Sequence, residues 1–97
     1  MGFFSQKSAA PEKVTSGRFE IERDGKIAYL QYTLGAGVLA LMHTEVPPEL
    51  RGHGLASKLA YEALEWARAN HVKVDVICPF VAEYLDSHPE YRDLVVK

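Results

Sequence analysis

The stretch HTEVPPELRGHGLASKL, His43 to Leu59, places two prolines, an arginine and two glycines at the entrance to a helix. Those residue types in that order can bind an anion. The first four N–H groups of a helix have no partner inside it, and the aligned peptide dipoles add partial positive charge at the same end. Gly52 and Gly54 let the backbone approach a phosphate closely, and Arg51 adds a permanent charge with several donors. A diphosphate fits those groups. The dipole alone contributes about 0.3–1 kcal/mol per charge at an exposed site, so several N–H bonds must act together. The same spacing also suits a glycine-rich loop that merely starts a helix.

Two better-known phosphate motifs do not fit. A P-loop requires a lysine directly after a glycine, and Lys58 does not follow one. A dinucleotide fingerprint requires a third glycine where Ser57 stands. What remains is Arg-x-x-Gly-x-Ala, met by Arg51, Gly54 and Ala56.

The loop has to be held between a strand and a helix, and the flanking sequence supplies both. Residues 1–17 mix Ser, Ala, Pro, Lys and Gly without a period and read as a mobile leader, which leaves 18–97 as a single domain. RFEIER, from Arg18, alternates as a half-exposed strand does. Asp24-Gly25 signals a two-residue hairpin, and KIAYLQYTL returns from it. After a second turn at Gly35 to Gly37, VLALMHTE is apolar almost to its end, as expected of a central strand covered on both faces.

Beyond Pro47-Pro48, Leu55, Ala56, Leu59, Ala60, Ala63, Leu64 and Ala67 recur three and four apart, which predicts an amphipathic helix ending near Asn70. KVDVIC, Lys73 to Cys78, reads as a strand. PFVAEYLDSH reads as a second helix with Pro79 at its first position and Phe80, Val81, Tyr84 and Leu85 inward. RDLVV is a candidate last strand. The fold class is therefore mixed α/β: an antiparallel meander followed by β-α-β-α, with a right-handed parallel crossover giving a mixed central sheet.

Composition limits what such a domain does. With 97 residues there is room for one modest core, and 47% hydrophobic and 25% charged residues are ordinary for a globular chain. A net charge of −2 with scattered Lys and Arg argues against a general nucleic-acid binder. One cysteine excludes an internal disulfide framework or a multi-cysteine zinc site, and His43, His53, His71 and His88 form no HExxH pattern. No metal is expected. No apolar run approaches the roughly 18 residues of a membrane span, so a cytoplasmic protein with no membrane partner is the expectation.

At Arg51-x-x-Gly54-x-Ala56 the chain resembles motif A of the GNAT superfamily of N-acetyltransferases, and HTEVP, RGHGLA and CPFVAEYL together resemble its minimal members of about a hundred residues. The similarity covers Arg18 to Leu94. It implies acetyl-CoA as cosubstrate, with the strands Val38 to Glu45 and Lys73 to Cys78 splayed around the pantetheine. Main-chain groups of Thr44, Glu45 and Val46 would then pair with pantetheine or the thioester carbonyl. Donors of Arg51, Gly52, His53, Gly54, Leu55, Ala56 and Ser57 would take the diphosphate. Arg51 and Lys58 side chains are candidates for the phosphates, Lys58 reading equally as an exposed helix lysine.

Acetyl transfer to an amine also needs a base, stabilised negative charge at the carbonyl oxygen and a proton for the thiolate. His43 and Glu45 share a strand face, and either could remove a proton, directly or through water. The two also read as a hydrogen-bonded sheet histidine and a solvated strand-end charge. Cys78 begins a helix beside the expected pantetheine, where it could act as a nucleophile carrying acetyl, hydrogen-bond near the thioester, or simply fill core space. Many family members have asparagine after this strand and, seven residues later, a tyrosine acid. Here Cys78 takes the asparagine's position and Tyr84 comes one residue early, so Tyr84 reads as core.

The resulting expectation is an acetyl-CoA-dependent N-acetyltransferase acting on a primary amine, either a small amine or an exposed lysine. A non-catalytic acyl-CoA-binding module is the alternative. A monomer or weak homodimer is expected, because edge strands of a short sheet can pair with a copy.

Overall fold

The computed structural model describes residues 15–96. Strands β1 (Thr15–Arg23), β2 (Lys26–Gly35) and β3 (Val38–Glu45) form the antiparallel meander, helix α1 (Leu55–Ala69) crosses over, and β4 (Lys73–Val76) pairs parallel to β3. Helix α2 (Pro79–Ser87) and a 3-10 segment, Pro89–Leu94, complete the chain, and the sheet order is β1-β2-β3-β4. The mixed α/β class and strand order expected from the sequence are what the structure has. Among the described residues, no helix is long and apolar enough to cross a membrane.

Local chemistry explains the turns. Asp24 and Gly25 both take positive φ, 53° and 77°, the pair of values that a two-residue turn matched to strand twist requires. Alternation then sorts each strand. Phe19 and Ile21, Ala28, Leu30 and Tyr32, Leu39 and Leu41, and Val74 are buried on one face, under Leu55, Leu59, Ala60, Ala63, Leu64 and Ala67 of α1. Val81 and Leu85 of α2 join this same core, with Phe80 and Tyr84 partly buried against it.

Four features depart from expectation. Strand β1 starts at Thr15, so residues 15–17, assigned to the leader on composition, are paired: Gly17 lies opposite Tyr32. Glycine is needed there, because a Cβ would lie 2.5 Å from the Tyr32 hydroxyl. The rest of the expected leader, 1–14, lies outside the described residues.

Strand β3 is covered on one face only. Its register against β2 shifts between Gln31 and Tyr32, which leaves Met42 as an extra, bulged residue. The bulge puts Thr44 opposite Leu30 on the core side, and His43 and Glu45 opposite Gln31 and Tyr29 on the open side.

Strand β4 ends at Val76, short of Cys78, because β3 and β4 part there. The expected strand at RDLVV reduces to one bridge, Val74 to Val95. Pro89 starts a 3-10 turn instead, and Tyr91 and Leu94, three apart, both become buried.

That last segment is fastened to α1. Arg68 donates to both carboxylate oxygens of Asp93 and to the Glu90 carbonyl, and the Tyr91 hydroxyl donates to Glu65. Burial, then the Glu65 carboxylate, pushes the Tyr91 phenol far above its ordinary value. Burial also raises Tyr32 and Tyr84. A phenol whose folded pKa exceeds the unfolded value of about 10 contributes stability that is complete below that pH and is lost above it. The melting temperature is expected to hold up to about pH 9.5 and fall beyond pH 10. Tyr91→Phe should cost about 1 kcal/mol at pH 7 and show a shallower alkaline fall. Parallel slopes in the two proteins would contradict this coupling.

Candidate functional site

The Pro47-Pro48 break ends β3, and a 3-10 turn, Pro48–Leu50, carries the chain to Arg51. Gly52 and Gly54 follow with φ of 85° and 74°, left-handed values that favour glycine at both positions. A Cβ on either would meet no atom within 4 Å, so the backbone here faces open space and crowding is not the reason for glycine.

Gly54 is the N-cap of α1, no side chain bonds to the cap, and the first turn contains no acid. The first intrahelical bond runs from Lys58 N–H to the Gly54 carbonyl at 3.0 Å, which leaves the N–H groups of Leu55, Ala56 and Ser57 ahead of it. Arg51 folds back over this loop, its Nε donating to the Val46 carbonyl at 3.0 Å. Among the described residues no carboxylate pairs with Arg51.

These groups border a cleft of about 180 Å3. Val46, Arg51, Gly52, Gly54, Leu55, Ala56 and Ser57 line it, all singled out from the sequence. Leu50 and Phe80 line it too, although the sequence singles out neither for the site; the helical pattern marks Phe80 only as inward-facing, and its place one residue after the helix-starting Pro79 is the available signal. His53 faces a neighbouring hollow with Arg23 and Asp24. Lys58 is exposed on α1 and does not line the cleft. The lining combines the Arg51 charge and the opening N–H groups of α1 with apolar Val46, Leu50 and Phe80, a mixture that suits an anion with an apolar arm.

Where β3 and β4 part, the last shared acceptor is the Leu41 carbonyl, which receives both Ile77 N–H at 3.0 Å and Cys78 N–H at 2.9 Å. Past that point β3 continues without a β4 partner. Cys78, 2% exposed, caps α2 and lies 3.2 Å from the Thr44 hydroxyl through its sulfur. The Thr44–Cys78 contact is on the core side of the gap. His43 Nε2 and Glu45 Oε1 are 3.0 Å apart on the open side, each about half exposed. The His43 ring meets the Tyr29 ring edge-on at 6.4 Å, and the Arg18 guanidinium lies over Tyr29.

Apart from His53 and Lys58, the predicted residues thus form three groups: those at the cleft beside the start of α1, the Thr44–Cys78 pair at the junction, and the His43–Glu45 pair across the sheet. The Val46 carbonyl accepts from Arg51 Nε, which ties the end of β3 to the loop ahead of α1. Tyr84 stacks on His88, ring centroids 3.9 Å apart, and belongs to the helix packing.

Comparison with known proteins agrees with this geometry. Residues 18–94 match the profile of a family described as GCN5-related N-acetyl-transferase. Similar sequences include Protein NATD1 of Gallus gallus and of Homo sapiens, each 34% identical over 56 residues, or 58% of this chain. Those alignments cover 51% and 50% of the relatives, so the chain spans about half their length. Protein NATD1 of Danio rerio is 27% identical over 84 residues, covering 81% of this chain and 76% of that protein.

Proposed function

Because the chain belongs to the GCN5-related N-acetyltransferase family, we propose that it moves acetyl from acetyl-CoA to a primary amine. The observation that carries this reading is the adjacency of two openings: the uncapped start of α1 beside Arg51, and the parting of β3 and β4 beside Thr44 and Cys78. A diphosphate held at the first and an acyl arm directed into the second are what a CoA thioester needs. The cosubstrate supplies an activated acetyl group; the chain's residues must position it and move protons.

In this reading Gly52 to Ser57 and Arg51 hold the diphosphate, and His53 and Lys58 flank it. Main chain at Thr44, Glu45 and Val46 aligns the arm. With His43 Nε2–H donating to Glu45, the neutral imidazole keeps Nδ1 free to accept the proton of the amine. Glu45 orients the ring. On the opposite side of the sheet the Thr44–Cys78 pair can supply a proton to the departing thiolate. Base and acid would then act from the two faces of one gap. The same reading puts the protein in a reducing compartment such as the cytoplasm, where the single thiol stays free.

Acetyl-CoA should raise the melting temperature while NAD does not, since only a ligand of the native state stabilises it. Arg51→Ala should weaken that effect by about 1–2 kcal/mol, roughly tenfold in affinity. An unchanged melting temperature at saturating acetyl-CoA would defeat the proposal. For Cys78, covalent carriage predicts a gain of one acetyl mass on the intact protein and its loss in Cys78→Ala; a hydrogen-bonding role predicts slower turnover without the adduct.

The depth of Cys78 favours a second reading, a non-catalytic acyl-CoA-binding module, in which the thiol only lines the arm. Binding of acetyl-CoA without turnover across a panel of amines would select it.

A further inference from the structure

The two edges of the sheet are not alike. Strand β4 is four residues long, and its outer side is partly covered: Val95 is bridged to Val74, and Val96 N–H donates to the Val74 carbonyl at 2.9 Å. Strand β1 is nine residues long, and among the described residues no strand pairs with its outer side. A free edge of that length presents a row of unpaired N–H and C=O groups, which is a template for another strand.

Which groups face outward follows from the hairpin. Asp24 and Gly25 form a two-residue turn closed by Arg23 and Lys26, and the closing residues of such a turn bond to each other. The ladder alternates from there without a shift. Arg23, Ile21, Phe19 and Gly17 therefore turn their backbone groups toward β2, while Glu22, Glu20, Arg18 and Ser16 turn theirs outward. Side chains alternate as well: Phe19 and Ile21 are buried, and Arg18, Glu20 and Glu22 are exposed on the other face.

A second copy related by a two-fold axis must bond outward residues to outward residues and keep both cores on the same side, so its possible registers differ by two residues. An axis through Arg18 sets that charge against its own copy. An axis through Glu20 does the same to the carboxylate, and one through Ile21 sets Glu20 against the partner's Glu22. An axis through Phe19 instead puts Arg18 opposite the partner's Glu20 and Glu20 opposite the partner's Arg18, with Ser16 facing the partner's Glu22. Phe19 then meets its own copy in the close spacing of a non-hydrogen-bonded pair. Arg18 is already held on that face, 2.7 Å from its own Glu20 and with its guanidinium 4.3 Å from the centre of the Tyr29 ring.

We propose that the outer edge of β1 is a homodimer interface, at which two copies join antiparallel about Phe19 into one continuous sheet. Exposed cross-strand ion pairs add little each, so the association is weak and depends on concentration. It does not depend on the acetyl-transfer reading, and β1 does not line the cleft at the start of α1.

Sedimentation of the full chain from about 1 μM to about 1 mM should show monomer giving way to dimer. Arg18→Glu and Glu20→Arg each set like charges against each other in that dimer, and each should raise its dissociation constant about tenfold. Mixed in equal amounts, the two variants should associate as a heterodimer, since every reversed charge then faces its opposite; a pair within one strand cannot produce that rescue. Hydrogen exchange on the parent chain needs no variant. It should show the amides of Ser16, Arg18, Glu20 and Glu22 becoming protected as concentration rises, with Phe19 and Ile21 protected throughout. A chain that stays monomeric at the highest concentration, a dimer that neither reversal weakens, or a mixture that associates no better than its parts would overturn the proposal.

Discussion

His43→Ala is expected to lower kcat by about 10²–10⁴-fold, the usual contribution of a positioned general base, while leaving the affinity for acetyl-CoA unchanged. The side chain is about half exposed and outside the core, so the variant should melt with the parent protein. Glu45→Gln should cost less, because the amide can still accept from Nε2 and hold the ring. Added imidazole should restore part of the His43→Ala rate if the loss is of a proton acceptor, and none of it if the loss is of sheet geometry. Turnover of His43→Ala equal to the parent's would remove the open-face pair from the mechanism and leave the proton to water.

Leu64→Ala is expected to be the most damaging single truncation in the fold. Leu64 is fully buried at the middle of α1, the helix that touches all four strands, α2 and the 3-10 segment. Removing its buried methyl and methylene groups should cost about 2–5 kcal/mol, depending on how far the cavity collapses. A domain of this size has about 5–15 kcal/mol to lose and drops about 4–8 °C per kcal/mol, so a fall of 10 °C or more is expected in a melt followed by circular dichroism. Since the first turn of α1 lines the cleft proposed for the diphosphate, acetyl-CoA is expected to rescue part of that loss by mass action. A melting temperature within a degree or two of the parent's would mean that the helix does not organise the core.

What the sequence made legible follows from how local each cause is. Asp24-Gly25 dictates its turn through two positive φ values, and Pro79 starts α2 because its missing N–H costs nothing at a first helical position. The stripe from Leu55 to Ala67 buries the residues its spacing picks out, with Ala56 only half-buried at its edge. The geometry of the Arg51 to Gly54 loop is legible for the same reason, since the glycines, the arginine and the uncapped helix start are neighbours in the chain.

What escaped was set by contacts between distant segments. VLALMHTE is apolar enough to suggest cover on both faces, yet α1 and α2 share one face and a single bulged residue decides which side chains point where. Nothing local to Cys78 announces Thr44, 34 positions earlier, as its neighbour. Nor does RDLVV reveal that the three-residue period of Tyr91 and Leu94 outweighs its β-branched end. The division of the candidate site between two faces of the sheet is a property of topology, and only the register of β3 against β2 discloses it.

The most direct measurement is a titration of the isotope-labelled chain with acetyl-CoA, read at every backbone amide. The largest shifts should fall on Gly52 to Ser57, at the opening of α1, and on Thr44 to Val46, beside the gap between β3 and β4. Saturable binding that leaves both segments unmoved, with shifts gathered on another surface, would contradict the proposed donor site.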